Sequence, residues 1–160
     1  MALITLGANG LGAGVGGKVL QYKYASTQST VTVSSATFVD VGITASITPT
    51  SASNTIYIDV NCPDNRVQTN NTNMNVKVYR QINGGGYSAL GFITAGFGYT
   101  GNTNMTTAGV SGVMEDTSHN STNQVDYKIY ISSGQNNASA QINVDGQSTT
   151  SIIAYEVATW

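Results

Sequence analysis

The residues best suited to chemistry lie in one polar stretch in the second half of the chain. His119 is the only histidine, and Asp116, Ser118 and Ser121 stand close to it in sequence. A Ser-His-Asp triad needs a hydroxyl and a carboxylate on opposite nitrogens of one imidazole, which closeness in sequence does not provide. No G-x-S-x-G elbow precedes a helix either. We therefore expect a surface-loop histidine and no catalytic residue.

The same stretch offers three metal-ligand types, namely Glu115, Asp116 and His119. The EF-hand pattern is absent, and one histidine cannot make the usual zinc sets. We predict a solvated polar loop with no metal and no cofactor. An ion held by one residue from each subunit on a symmetry axis remains open.

The cysteine and the scattered carboxylates carry no catalytic signature. Cys62 is the only cysteine, no basic residue adjoins it in sequence, and we expect an inert thiol that needs no oxidising compartment. Two carboxylates at a suitable separation could hydrolyse a glycosidic bond, but nothing marks one pair among Asp59, Asp64, Asp126 and Asp145. A polysaccharide hydrolase is therefore only a remote alternative.

The composition excludes several classes of partner. Charged residues make up 9% of the chain, against roughly 25% in an ordinary soluble domain. The formal net charge is −2 and the six basic residues are scattered, so no footprint for nucleic acid is visible. No apolar run approaches the roughly 20 residues that span a bilayer. We expect neither nucleic-acid binding nor membrane insertion.

The stretch from Thr37 to Val60 gives the clearest structural signal. Every second residue from Val39 to Ile47 is apolar, as expected for a strand with one buried face. Pro49 ends the pairing, a polar corner follows, and a second strand carries Ile56, Ile58 and Val60 on one face. Two long strands joined by a short corner indicate a β-sandwich.

The rest of the chain repeats this pattern. Asn83-Gly84 and Asp145-Gly146 are turn signals, and Asn61 to Asn75 is predicted as a polar loop. Further strands are predicted at Val19–Ala25, Thr30–Ser34 (an edge), Val76–Ile82, Tyr87–Ala95, Thr107–Glu115, Val125–Ile131, Ala138–Val144 and Ser151–Val157, the last with Ile153, Tyr155 and Val157 on one face. We predict an all-β, antiparallel β-sandwich, a jelly roll of about eight to ten strands.

A glycine-rich N-terminal arm, residues 1–17, precedes the domain, residues 18–160. Six of its residues are glycines, which lose much backbone freedom on folding. It lacks the basic start of a signal peptide, and we interpret it as part of the mature chain. We expect the arm to lie on a partner, with packing on its own domain as the alternative. Its contact residues would be Leu3, Ile4, Leu6 and Leu11.

A second candidate contact surface is the Gly/aromatic loop that follows the strand ending at Ala95. It contains Phe97, Tyr99 and Asn102 among glycines. Aromatic and amide side chains on a loop suit adaptable recognition. They are equally consistent with the loop packing on the sandwich.

Two segments resemble a known family. GKVLQYKYAS followed by TFVDVGITASITPTSASNTIYIDV resembles the opening of a jelly-roll module in virion structural proteins of tailed phages, especially aquatic ones. VDYKIYISSGQNNASAQINVDGQSTTSIIAYEVA resembles its closing strands: a Tyr-rich strand, a short Asn-containing strand and a last strand ending near a glutamate. The resemblance covers about residues 16 to 160, less clearly in the middle third.

The resemblance implies a homotrimer of jelly rolls on the virion surface, made in the bacterial host cytoplasm and without enzymatic activity. In long fibres the module ends a larger chain, whereas here it follows a short arm. We therefore predict a capsid decoration protein or head fibre, docked through the arm on the phage capsid or another virion protein. The alternative is a receptor-binding module of a tail fibre or spike that binds a host cell-surface glycan.

Overall fold

Ten β-strands in two antiparallel sheets form the regular structure of the residues described by the computed structural model, which are 17–68, 71–101, 105–135 and 138–159. This confirms the predicted antiparallel β-sandwich and jelly roll. The strands are β1 (Val19–Thr27), β2 (Val31–Val33), β3 (Val39–Ile47), β4 (Thr55–Gln68), β5 (Met74–Ile82), β6 (Ser88–Phe97), β7 (Met105–Asp116), β8 (Val125–Ser133), β9 (Ser139–Ile142) and β10 (Thr150–Val157).

The larger sheet has six strands and is built around the long strand β4. One edge of β4 pairs with β7 over nearly its whole length, and the other pairs first with β10 and then with β9. β1 continues the sheet beyond β10, and β2 continues it beyond β9. β2 is thus at an edge, as predicted. The smaller sheet has the order β3-β8-β5-β6.

The core lies between the two sheets and consists of every second residue of the long strands. From β3 to β4, the predicted alternation buries Val41, Ile43, Ala45 and Ile47 and then Ile56, Ile58 and Val60. From β8, it buries Val125, Tyr127, Ile129 and Ile131. Each such aliphatic side chain contributes about 1.5–3 kcal/mol on burial, so the side-chain alternation sets the register of both sheets.

The predicted polar loop from Asn61 to Asn75 is wrong over its first half. β4 continues to Gln68, with Cys62 and Val67 completely buried. The polar residues between them remain in the ladder because β7 and β9 supply backbone partners on either side. Pro63, which cannot donate to a ladder, lies in a β-bulge between Cys62 and Asn65.

The turn predictions are confirmed. Asn83 and Gly84 have φ of 52° and 71° and join β5 to β6, and this positive φ is the conformation that Asn and Gly tolerate. Gly146 has φ of 68° in the turn before β10. Asp145 supports that turn by accepting hydrogen bonds from the backbone amides of Gln147 and Ser148.

The predicted N-terminal arm lies outside the described residues apart from Gly17. The placement of Leu3, Ile4, Leu6 and Leu11 on a partner therefore stays a prediction. Over the part of the chain that the structure describes, there is no helix with the length and hydropathy needed to cross a membrane.

Candidate functional site

Most of the loop after β7 is exposed, but Asp116 and His119 are buried, which corrects the prediction of a surface histidine. His119 is only 2% exposed and Asp116 only 1%. The His119 Nε2 lies 2.8 Å from the carbonyl oxygen of Asn54, and its Nδ1 lies 3.1 Å from the carbonyl oxygen of Ser121. Both ring nitrogens therefore meet backbone atoms, and the imidazole holds this loop against the corner between β3 and β4.

Asp116 belongs to a separate ion pair under the same loop. Its Oδ1 lies 2.6 Å from Arg80 Nη1, and its Oδ2 accepts a hydrogen bond of 2.7 Å from the Tyr127 hydroxyl. Burial acts to raise the pKa of this carboxyl, but the bonds from Arg80, Tyr127 and Ser118 outweigh it and lower the pKa. The Ser118 hydroxyl donates to Asp116, so these residues do not form a Ser-His-Asp relay.

A second buried carboxylate, Glu156 on β10, was missed at the sequence level. Its Oε1 accepts hydrogen bonds from the amide and hydroxyl of Thr50 and from Asn54 Nδ2, and its Oε2 accepts one from Gln21. Burial acts to raise the pKa of Glu156, but these bonds outweigh it and lower the pKa. The sequence pattern could have indicated its burial, because Glu156 alternates in phase with the apolar residues Ile152 and Ala154 on the buried face of β10.

Of the other candidate groups, the structure buries Cys62 and brings two of the four aspartates, Asp64 and Asp145, into contact. Burial raises the pKa of the Cys62 thiol to about 12, which keeps it protonated, as the prediction of an inert cysteine requires. Asp64 accepts a hydrogen bond from the Asp145 amide, and Asp126 accepts one from Gln124. Among residues 17–68, 71–101, 105–135 and 138–159, no three His, Cys, Asp or Glu side chains are grouped as metal ligands.

The structure describes two of the three residues of the predicted contact loop and places them in different surroundings. Phe97 ends β6 and packs against the core. Tyr99 is 60% exposed, and its hydroxyl donates a hydrogen bond to Asn71 Oδ1. Asn102 lies outside the described residues. A receptor contact at this loop stays a prediction, with Tyr99 as its exposed member.

The most prominent surface feature is the outer side of the larger sheet, which we call the tyrosine face. Across β1, β10 and β4, Tyr22 lies opposite Tyr155, and Tyr155 lies opposite Tyr57. The next row of the sheet runs from Tyr24 through Ile153 and Asp59 to Val113 on β7. The tyrosine face consists of Val19, Tyr22, Tyr24, Tyr57, Val113, Ile153, Tyr155 and Val157.

Five of these eight side chains are exposed, and the three from β10, namely Ile153, Tyr155 and Val157, are half-buried. Tyr22 is 65% exposed and Val113 is 63% exposed, and Val19, Tyr24 and Tyr57 are also exposed. In β10 the predicted set Ile153, Tyr155 and Val157 does share a face, but that face is this outer one. Ile152, Ala154 and Glu156 face the core instead. Alternation alone therefore revealed two faces and did not distinguish the core from a surface.

Comparisons with known proteins bear on the fold. Neither a family model nor a curated protein matches this chain. Among solved structures, the chain is similar to the infectious bursal disease virus VP2 subviral particle, with 13% identity over 88% of this chain and 39% of that chain and a TM-score of 0.45. It is also similar to Eiger TNF from S. frugiperda, with 10% identity over 87% and 94% of the two chains and a TM-score of 0.43.

A third similar structure is a xylan-binding module, CBM15, with 13% identity over 88% of this chain and 95% of that chain and a TM-score of 0.39. The chain spans about two fifths of the length of the viral proteins it matches. Similarity at this level concerns the arrangement of strands, and it assigns no ligand, partner or activity to this chain.

Proposed function

We propose that this chain is a non-enzymatic structural protein of a bacteriophage particle, assembled as a homotrimer through its tyrosine face. The observation that carries the proposal is the row of Tyr22, Tyr155 and Tyr57 on adjacent strands, with exposed valines around it. Contiguous apolar patches of this kind are rare on soluble monomers and mark contact surfaces. Covering the face would remove that apolar surface from water.

The two sides of the sheet support contact with another copy. β1 pairs only with β10, and β7 pairs only with β4, so the described residues leave a free edge on each side of the tyrosine face. Natural proteins protect free edges with charge or by covering them. Of the 160 residues only 9% are charged, and a neighbouring subunit would cover both the face and its edges.

The small number of charges on the face is compatible with contact to another copy of the same chain. Within it, Asp59 interrupts the row of Tyr24, Ile153 and Val113, and Glu115 lies beside Tyr57. A face with so few charges can contact another subunit without bringing many like charges together. In a ring of three, the β1 side of one copy would contact the β7 side of the next, a heterologous contact that a three-fold axis closes.

The virion assignment rests on the resemblance of two segments to the jelly-roll modules of tailed phages. On that basis the trimer is a capsid decoration protein or head fibre, located on the virion surface after synthesis in the host cytoplasm. Residues 1–17, with Leu3, Ile4, Leu6 and Leu11, would dock each subunit on the capsid or another virion protein. Three such arms on one trimer would act together, which strengthens attachment without any new contact.

The mass of the purified protein in solution tests the assembly. Light scattering after size-exclusion chromatography is expected to give a trimer for the wild type and smaller species for Tyr57→Ser. The matched control is Tyr99→Ser, which removes an exposed tyrosine away from the tyrosine face and should leave the trimer intact. A wild-type monomer at all concentrations would refute assembly through this face.

The location on the particle needs a separate measurement. The protein is expected to copurify with phage heads that lack tails, and removal of residues 1–17 should release it. Copurification with isolated tails instead would contradict the decoration role.

A receptor-binding role is the second candidate, and the exposure of Tyr99 favours it. In that case purified protein would block phage adsorption to cells, and Tyr99→Ala would relieve the block. Equal blocking by the wild type and this variant would exclude the loop as the contact.

A further inference from the structure

A second aromatic surface lies on the outer side of the smaller sheet and surrounds one lysine. In the sheet register, Lys77 on β5 lies between Tyr130 on β8 and Phe92 on β6. Tyr79, two residues further along β5, lies on the same side of the sheet. Phe38, from the segment before β3, packs against Tyr79 and Phe92. We call Phe38, Lys77, Tyr79, Phe92 and Tyr130 the lysine cluster.

The rings hold the lysine in a defined position. The Lys77 Nζ lies 4.1 Å from the centroid of the Phe92 ring and 4.5 Å from that of Phe38. The Tyr79 and Tyr130 rings lie 4.1 Å apart between centroids, and Phe38 contacts both Tyr79 and Phe92. Cation–π contacts of this kind orient an ammonium group without neutralising its charge.

Lys77 differs from the neighbouring Lys128 in having no ion-pair partner in the part of the chain that the structure describes. Lys128 lies on the same outer side, and its Nζ is 2.6 Å from Asp40 Oδ2. Among the described residues, Lys77 has no carboxylate partner within ion-pair distance. Lys77 thus keeps a positive charge without a direct ion pair to any described residue, while Asp40, which lies opposite Tyr130 in the sheet register, is paired with Lys128.

We propose that the lysine cluster binds an acidic saccharide, with a sugar ring on Phe92 and a sugar carboxylate on Lys77. Phe92 is 50% exposed, so its ring is accessible to a ligand. One face of the Phe92 ring takes the Lys77 ammonium, so the C–H groups that line one side of a pyranose would stack on the opposite face, which is also negative. The carboxylate of a uronic acid would then supply the counter-charge for the ammonium.

The arrangement favours a saccharide over an acidic peptide. An extended peptide would gain most by pairing its backbone with the edge of β6, the last strand of this sheet, and that pairing would not require Lys77 or the rings around it. Aromatic ring faces beside a single ammonium group instead match a uronic acid, which carries a C–H surface next to a carboxylate. The lysine cluster is on the sheet opposite the tyrosine face, so this inference does not depend on the proposed assembly.

Calorimetric titration of the full chain tests the proposal. The probes are trisaccharides of galacturonate, mannuronate and glucuronate, each beside its methyl ester, which keeps the sugar ring and removes the charge. At least one acid is expected to bind about tenfold more tightly than its ester, the advantage of one charged hydrogen bond. Lys77→Gln should reduce the affinity for the acid to that of the ester.

Two further variants and a control complete the test. Phe92→Ala should weaken acid and ester alike, and Lys77→Arg should retain the preference for the acid. Lys23→Gln, which removes an exposed lysine from β1, should leave binding unchanged. The proposal is overturned if none of the acids binds, if acid and ester bind equally, if Lys77→Gln has no effect, or if oligoglutamate binds as tightly as the acids. Light scattering on the same samples shows separately whether assembly has failed.

Discussion

Tyr22 on β1 lies opposite Tyr155 on β10, with ring centroids 6.3 Å apart and planes inclined by 37°. Tyr155 lies opposite Tyr57 on β4, so three tyrosines cross three strands in one row. Cross-strand aromatic pairs stabilise a sheet by roughly 0.2–1 kcal/mol each. Tyr22 nevertheless remains largely exposed, so the pairing leaves a surface that association can still bury.

Association through this row predicts a melting temperature that depends on protein concentration. Binding between folded copies stabilises the folded state by mass action. The melting temperature of the wild type should rise on concentration, and that of Tyr22→Ser should not. Calorimetry over a range of concentrations measures both. If the melting temperature of Tyr22→Ser rose with concentration as steeply as that of the wild type, this would be evidence against association through the tyrosine face. The control Tyr99→Ser should keep the wild-type dependence on concentration.

Glu156 predicts a loss of stability in acid. Its pKa is lower in the folded state than in the unfolded state, so its stabilisation is complete above the unfolded value of about 4.3 and is lost as the pH falls through the folded pKa. Glu156→Gln should cost about 2 kcal/mol near neutral pH. It should also flatten the acid limb of stability, because the ionised acceptor is gone. Urea unfolding across the acid range measures both effects, and an unchanged acid limb in the variant would rule out Glu156 as the cause.

Breaking the Asp116–Arg80 ion pair should cost more folding stability than breaking the more exposed Asp40–Lys128 pair. The side chain of Asp116 is completely buried and that of Arg80 is 17% exposed, so Asp116→Asn should destabilise the fold by about 3 kcal/mol. Asp40→Asn breaks a pair with Lys128 at the same 2.6 Å separation but with both side chains more exposed. Its cost should stay below about 1 kcal/mol. Similar costs for the two variants would show that burial is not the deciding factor.

Cys62 predicts a thiol that reacts only after unfolding. Burial raises its pKa to about 12, so the thiolate is scarce at the pH of ordinary thiol reagents and the sulfur is also shielded. Folded protein should show almost no reaction with a disulfide reagent near pH 8, and protein in urea should react fully. Rapid reaction of the folded protein would mean that β4 opens at Cys62 without global unfolding.

The sequence alone was sufficient for the β-sandwich, its turns and most of its strands. From Val41 to Val60 and from Val125 to Ile131, alternating side chains predicted both the strands and their buried faces, whereas Val39 at the start of β3 is exposed. Asn83-Gly84 predicted its hairpin because few other residues tolerate positive φ there. These are local properties, so a single chain segment contains the information they need.

The site depended on relations between distant segments. Alternation in β1 and β10 indicated that each strand has two faces, but not which face is buried. The second sheet packs on the side of Ile152, Ala154 and Glu156, and it leaves Tyr22 and Tyr155 on the outer side. The continuation of β4 past Cys62 likewise required partners from β7 and β9. His119, expected on the surface, is buried against the corner that holds Asn54, 65 positions away, whose carbonyl oxygen lies 2.8 Å from its Nε2. Burial is a property of what covers a residue, and that cover comes from elsewhere in the chain.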